Sequence, residues 1–151
     1  MLMLSLTVWA QSATPAAGAP KDRDEAAFHY HMGLNYYDGL GEPPDYAKAV
    51  DHFKRAATLN HSQAQGMLGQ CYRNGRGVQQ DRAKAAHWIQ RAAQHEDPIA
   101  HFLYGTLLAT GEGVPRDPAQ ALRFYLQAAA KGHAAAMNNI GAVSYTHLTL
   151  P

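Results

Sequence analysis

Nine histidines, one cysteine and three glycine-rich turns are the residues of this 151-residue chain with the means for chemistry. A metal site on a helix needs histidines three or four apart, so that both rings share a face. His29 and His31 are two apart and point differently, and His52, His61, His87, His95, His101, His133 and His147 are scattered, with no H-x-x-x-H or H-E-x-x-H run. They read as surface or helix-cap residues, and no metal is expected. Cys71 stands alone. That excludes a disulfide within the chain, and a reactive thiol would need a base or helix N-terminus beside it that the sequence does not offer. The turns Gly39-Leu40-Gly41, Gly75-Arg76-Gly77 and Gly111-Glu112-Gly113 lack the lysine and hydroxyl residue that a phosphate-binding loop needs. No nucleophile, base and orienting group stand out as a set. No catalytic residue and no cofactor are expected.

The spacing of those turns is the stronger signal. They recur every 36 residues, and aligning the chain on that period needs no gaps. Eight columns are identical in three copies, among them Gly33/Gly69/Gly105, Asp45/Asp81/Asp117, Ala49/Ala85/Ala121 and Ala56/Ala92/Ala128. A period of this length marks a stacked repeat. The first glycine of each turn ends a helix in the left-handed region, and the aspartate after the turn caps the next helix. Ala49, Phe53, Ala56 and Ala57 form one helical face, repeated by Ala85, Ile89, Ala92 and Ala93. His52, Trp88 and Phe124 form an aromatic slot beside it. A glycine inside a helix costs about 1 kcal/mol against alanine, so the Gly33/Gly69/Gly105 column predicts close approach of the two helices. Each copy is a helix–turn–helix that must stack on its neighbours to bury its apolar face. The expected fold is all-α: an α/α solenoid, or superhelix, of stacked helix–turn–helix repeats.

In the middle copy the succession Leu68-Gly69-Gln70-Cys71-Tyr72, Gly75-Arg76-Gly77-Val78, Asp81, Lys84-Ala85, Trp88 and Ala92-Ala93 resembles the Sel-one-like repeat, a branch of the tetratricopeptide superfamily. The resemblance covers residues 26–142. The first copy departs from it at Glu42-Pro43-Pro44 and at His52, where the family prefers valine and tryptophan. Some bacterial relatives carry a disulfide in every repeat; this chain lacks those cysteines, so their activities do not transfer to it. The resemblance implies a non-enzymatic adaptor that binds protein or peptide.

The chain divides accordingly. Residues 1–10 (MLMLSLTVWA) read as the remnant of a secretory signal peptide, which implies a periplasmic or secreted protein, or a cytoplasmic one if that segment is no signal. Residues 11–25 read as a linker whose charged end, from Lys21 to Glu25, suits a first helical turn. The repeat domain spans 26–142, as copies 26–61, 62–97 and 98–133 and a partial copy 134–142. Residues 143–151 (VSYTHLTLP) break the pattern and read as the translation of a sequencing adapter. Net charge is +1, from 13 basic and 12 acidic residues, and no basic cluster exists to displace counterions from phosphates, so no nucleic acid is expected. The residues 1–10 run is too short to span a bilayer.

Columns that vary while their neighbours stay fixed are candidates for a binding face, since first helices line the concave side of a solenoid. They are Tyr30/Gly66/Phe102/Asn138, Tyr37/Arg73/Ala109 and Leu34/Gln70/Thr106. Tyr30, Tyr37, Arg73 and Phe102 are the types favoured as interface anchors. The alternative is a protein that binds or hydrolyses cell-wall peptide in a cleft of the solenoid. A deep polar pocket with converging ionisable groups would favour that alternative, and a shallow open groove would not.

Overall fold

The computed structural model describes residues 20–149, with side chains as far as Tyr145. Among them are seven helices and no strand: α1 (Pro20–Asp38), α2 (Tyr46–Thr58), α3 (Ser62–Asn74), α4 (Arg82–Ala92), α5 (Pro98–Thr110), α6 (Pro118–Ala130) and α7 (Ala134–Thr149). Helices pair as α1 with α2, α3 with α4 and α5 with α6, and each pair stacks on the next, giving the all-α solenoid. Residues 1–19, which hold the expected signal remnant and most of the linker, lie outside the described residues. Helix α1 begins at Pro20 and takes the charged run from Lys21 to Glu25 into its first turns, because proline is tolerated there and Asp22 complements the helix N-terminus.

The helix ends follow from the repeated residues. Asp45, Asp81 and Asp117 cap α2, α4 and α6 by accepting from the backbone N–H of Lys48, Lys84 and Gln120, each at 3.0 Å. These backbone bonds hold the carboxyls of Asp45 and Asp81 below the usual range. Gly75 and Gly111 close α3 and α5 in the left-handed region. At α7 the corresponding column holds His147 in place of glycine, and the helix runs on to Thr149.

Close approach within a pair is set by the glycine column. A Cβ on Gly69 would stand 2.5 Å from Ile89 Cγ1, and one on Gly33 would stand 2.5 Å from the Phe53 ring. Two blocks of core result, one around Val50, Phe53 and Leu68, the other around Ile89, Leu107 and Tyr125. The second turn glycine has a different task. A Cβ on Gly77 would meet the Tyr46 carbonyl oxygen at 2.2 Å, and one on Gly113 the Arg82 carbonyl oxygen at 2.1 Å. Each turn therefore rests on the start of the preceding copy's second helix. Gly41, with no preceding copy described, faces open space.

Candidate protein-interaction face

First helices of successive copies touch directly, α3 on α5 and α5 on α7. Their outer residues form one continuous face, on which Tyr30, Tyr37, Arg73 and Phe102 are all partly exposed. The residues are brought together in pairs rather than as one cluster. Tyr30 stacks on His61 with ring centroids 4.6 Å apart, and Phe102 stacks on His133 at 4.7 Å. Both histidines are helix N-caps, His61 Nδ1 accepting from Ala64 N–H and His133 Nδ1 from Ala136 N–H. Between these two junctions the same columns hold Gly66 and Asp97, with no ring at either place. Asp97 caps α5, its Oδ1 accepting from the Ile99 and Ala100 N–H groups and its Oδ2 from the Ser62 hydroxyl. Burial, with the charges of Asp97 and Asp38, raises the Tyr30 phenol above its ordinary value.

Tyr37 and Arg73 share a column and a role. Arg73 donates to Glu112 through Nε at 2.7 Å and through the guanidinium terminus at 2.8 Å. Arg76 donates to the Tyr37 hydroxyl and lies 5.4 Å from that ring's centre. In both cases the end of one first helix grips the middle residue of the next copy's Gly-x-Gly turn. The hydrogen bond from Arg73 holds the Glu112 carboxyl below its usual range.

A buried polar column lies beneath this face, and here the surface-or-cap expectation for the histidines is corrected. His29 and His101 are buried, as is Gln65 between them in register. The Gln65 amide donates to the Ala57 carbonyl at 3.2 Å, and His101 Nε2 stands 3.2 Å from the Ala93 carbonyl. Those carbonyls lie at the end of the preceding second helix, where the α-helical ladder runs out; the Ala57 oxygen also accepts from the Asn60 N–H at 3.1 Å. His29 has no preceding helix among the described residues. Its Nδ1 instead stands 2.9 Å from Nδ1 of His52, whose ring stacks on Tyr36. Burial first, then the His29 and Arg55 charges, lower the His52 pKa. Glu25 lies 3.9 Å from the far nitrogen of His29. The column escapes pattern reading because histidine, glutamine and methionine (Met137) share no apolar signature.

A hollow of about 610 Å³ is lined by Arg23, Asn60, His61, Ser62, His95, Glu96 and Asp97 among others. Three of its ionisable groups serve the fold: His61 and Asp97 cap helices, and Glu96 accepts from Lys131 at 3.3 Å. Ser62 donates to Asp97 rather than to an imidazole, so no base is set on that hydroxyl. A smaller hollow of about 80 Å³ lies beside Gly66, between Tyr30, Gln70 and Leu103. It opens on the face of the first helices.

Comparison with known proteins follows the same register. The Sel1 repeat family model matches residues 26–61, 62–97 and 98–133, and also 16–33, which overlaps the first full copy. The chain belongs to the Sel1 repeat family. Among solved structures it is similar to c5321, a protective antigen present in uropathogenic Escherichia coli strains and displaying an SLR fold. That likeness has 36% identity and a TM-score of 0.75, over 78% of this chain and 25% of that one. It is also similar to a Sel1 repeat protein from Oxalobacter formigenes, at 28% identity and TM-score 0.74, over 82% of this chain and 51% of that one. Helicobacter pylori cysteine-rich protein B shares the fold at 24% identity and TM-score 0.62, over 82% and 98%. The chain thus spans a quarter of the first relative and about half of the second. No curated protein sequence matches it.

Sel1 repeats are in general protein-interaction scaffolds. In this Sel1 chain Cys71 is free and buried, and burial pushes its thiol up to about 11, against a smaller pull from Arg76. Among the described residues no three His, Cys, Asp or Glu side chains gather as a metal site would require, and no helix is long and apolar enough to cross a membrane.

Proposed function

We propose that the chain is a non-enzymatic scaffold of the bacterial envelope or cell exterior, binding protein or peptide on the face of its first helices. The observation that carries this reading is the open face itself. First helices α3, α5 and α7 contact one another in succession, and Tyr30 of α1 reaches His61 at the start of α3. Tyr30, Gln70 and Phe102 are partly exposed along this face, with the hollow beside Gly66 opening onto it. Tyrosine and phenylalanine anchors flanked by polar groups are what a non-obligate interface uses. The location is supported by the apolar run of residues 1–10, and by the similarity to a protein described as a protective antigen.

The cleft alternative is weaker on geometry. Catalysis needs a nucleophile within hydrogen-bond reach of a base, and Ser62, the hydroxyl in the hollow of about 610 Å³, donates to a carboxylate that is itself a helix cap. An affinity capture from extracts of the source cells tests the proposal. Tyr30→Ala and Phe102→Ala weaken recovery of the partner, while Lys54→Ala and Gln90→Ala on the second helices leave it intact, with circular dichroism unchanged throughout. Recovery unaffected by the first pair removes this face from the proposal.

A further inference from the structure

The row of rings along the first helices has one gap. Tyr30 lies on His61 and Phe102 lies on His133, two repeats apart, in the same pair of columns. At the junction between them the columns hold Gly66 and Asp97. A Cβ built on Gly66 meets nothing within 4 Å, although the residue is buried. The space is the hollow of about 80 Å³, lined by Tyr30, Met67, Leu103 and exposed Ile99 among others. It takes the inner edge of a ring, whose outer edge stays at the open face, since a cavity that encloses a whole benzene is about 150 Å³.

We propose that this hollow receives an aromatic side chain from an extended segment of a partner protein, which takes the place of the ring this copy lacks. The proposal rests on the groove-binding reading above and names its specificity. The sister junctions show the placement that fits, one ring beside the capping residue of the next first helix, the cap being a stacked histidine there and the Asp97 carboxylate here. Charge selects among rings and other groups. Asp97 is the only ionised side chain lining the hollow, so an acidic side chain is repelled. Its oxygens already accept from two backbone N–H groups and the Ser62 hydroxyl, which weakens it as an anchor for a full cation. A ring presents a positive edge, and tyrosine or tryptophan adds a polar hydrogen, to such a partly satisfied carboxylate and to Gln70. Exposed Ile99, 52% accessible, then gains an apolar neighbour at the rim.

The test is an amide-resolved NMR titration of the full chain with two end-blocked pentapeptides, alanine at the flanks and either tyrosine or alanine at the centre. The tyrosine peptide shifts the amides of Gly66, Gln70 and Leu103 and binds at least about tenfold more tightly, as expected for burying one large side chain. Gly66→Phe supplies the ring from the chain itself, keeps the helical spectrum, and drops the tyrosine peptide to the alanine level. If that variant does not fold, Ile99→Glu, which places a carboxylate at the rim, gives the same loss. Equal affinity for the two peptides, no shift with either, or full binding by both variants overturns the proposal. Equal shifts elsewhere along α3 and α5 overturn it while leaving the groove reading standing; shifts confined to α2, α4 and α6 remove both. Concentration-dependent dimerisation abolished by Gly66→Phe assigns the hollow to a second copy and also overturns it.

Discussion

Arg73, at the end of α3, holds Glu112 in the turn after α5 by two hydrogen bonds of 2.7 and 2.8 Å. One copy earlier the same two columns hold Tyr37 and Arg76. The chemistry differs, guanidinium to carboxylate in one and guanidinium to phenol in the other, but the join is the same. Arg73→Ala costs about 1 kcal/mol in urea unfolding, the upper end for a partly exposed pair with forked geometry. Exchanging the two residues, Arg73→Glu with Glu112→Arg, restores most of it. Additive losses across the double-mutant cycle would show that the two side chains act independently.

Two glycines three residues apart in α3 behave oppositely. Gly69→Ala forces a Cβ to within 2.5 Å of Ile89 Cγ1, and overpacking of that kind costs about 1–3 kcal/mol. Gly66→Ala meets open space and gains up to about 1 kcal/mol from helix propensity. Thermal unfolding of the two variants gives melting points on either side of the parent.

Acid weakens the first helical pair. An Nδ1–Nδ1 contact of 2.9 Å between His29 and His52 accommodates one proton and not two. The His52 pKa is lowered in the folded chain, so protonation favours the unfolded chain. Stability is full above the unfolded value near 6.5 and declines as pH falls below it. His61, also lowered mainly by burial, adds to the loss in the same window. Glu25, 3.9 Å from His29, Asp51 and Arg55 are charged groups near the pair, and Asp51 offsets part of the effect on His52. His52→Trp, the residue of the next copy's slot, flattens the profile of urea midpoint against pH below 6.5. An unchanged profile would remove the pair as its cause.

The buried Gln65 amide covers the Ala57 carbonyl at the end of α2. Gln65→Leu removes this bond while the Asn60 N–H still covers the carbonyl at 3.1 Å, and costs about 0.5–1.5 kcal/mol. Gln65→His, the residue found in the next copy, keeps most of the stability. Hydrogen exchange at the end of α2 locates the damage.

The period of 36 residues, the glycine column and the aspartate caps were legible because each rests on one residue type doing one backbone job. His61 and His133 were legible as helix starts for the same reason. What lay beyond sequence was pairing across copies. Nothing in the string links Arg73 to Glu112, 39 positions on, or shows that Tyr30 and Phe102 lean on histidine caps while Gly66 has none. The polar column of His29, Gln65 and His101 was illegible because burial is set by the carbonyls of the preceding helix, not by side-chain type.

The central claim is that recognition takes place on the face of the first helices. Site-specific photocrosslinking tests it most directly, with a benzoylphenylalanine at Gln70 on α3 or at exposed Gln90 on α4. The account predicts a discrete crosslinked partner from Gln70 and none from Gln90. Crosslinking from Gln90 alone, or equally from both, would contradict it.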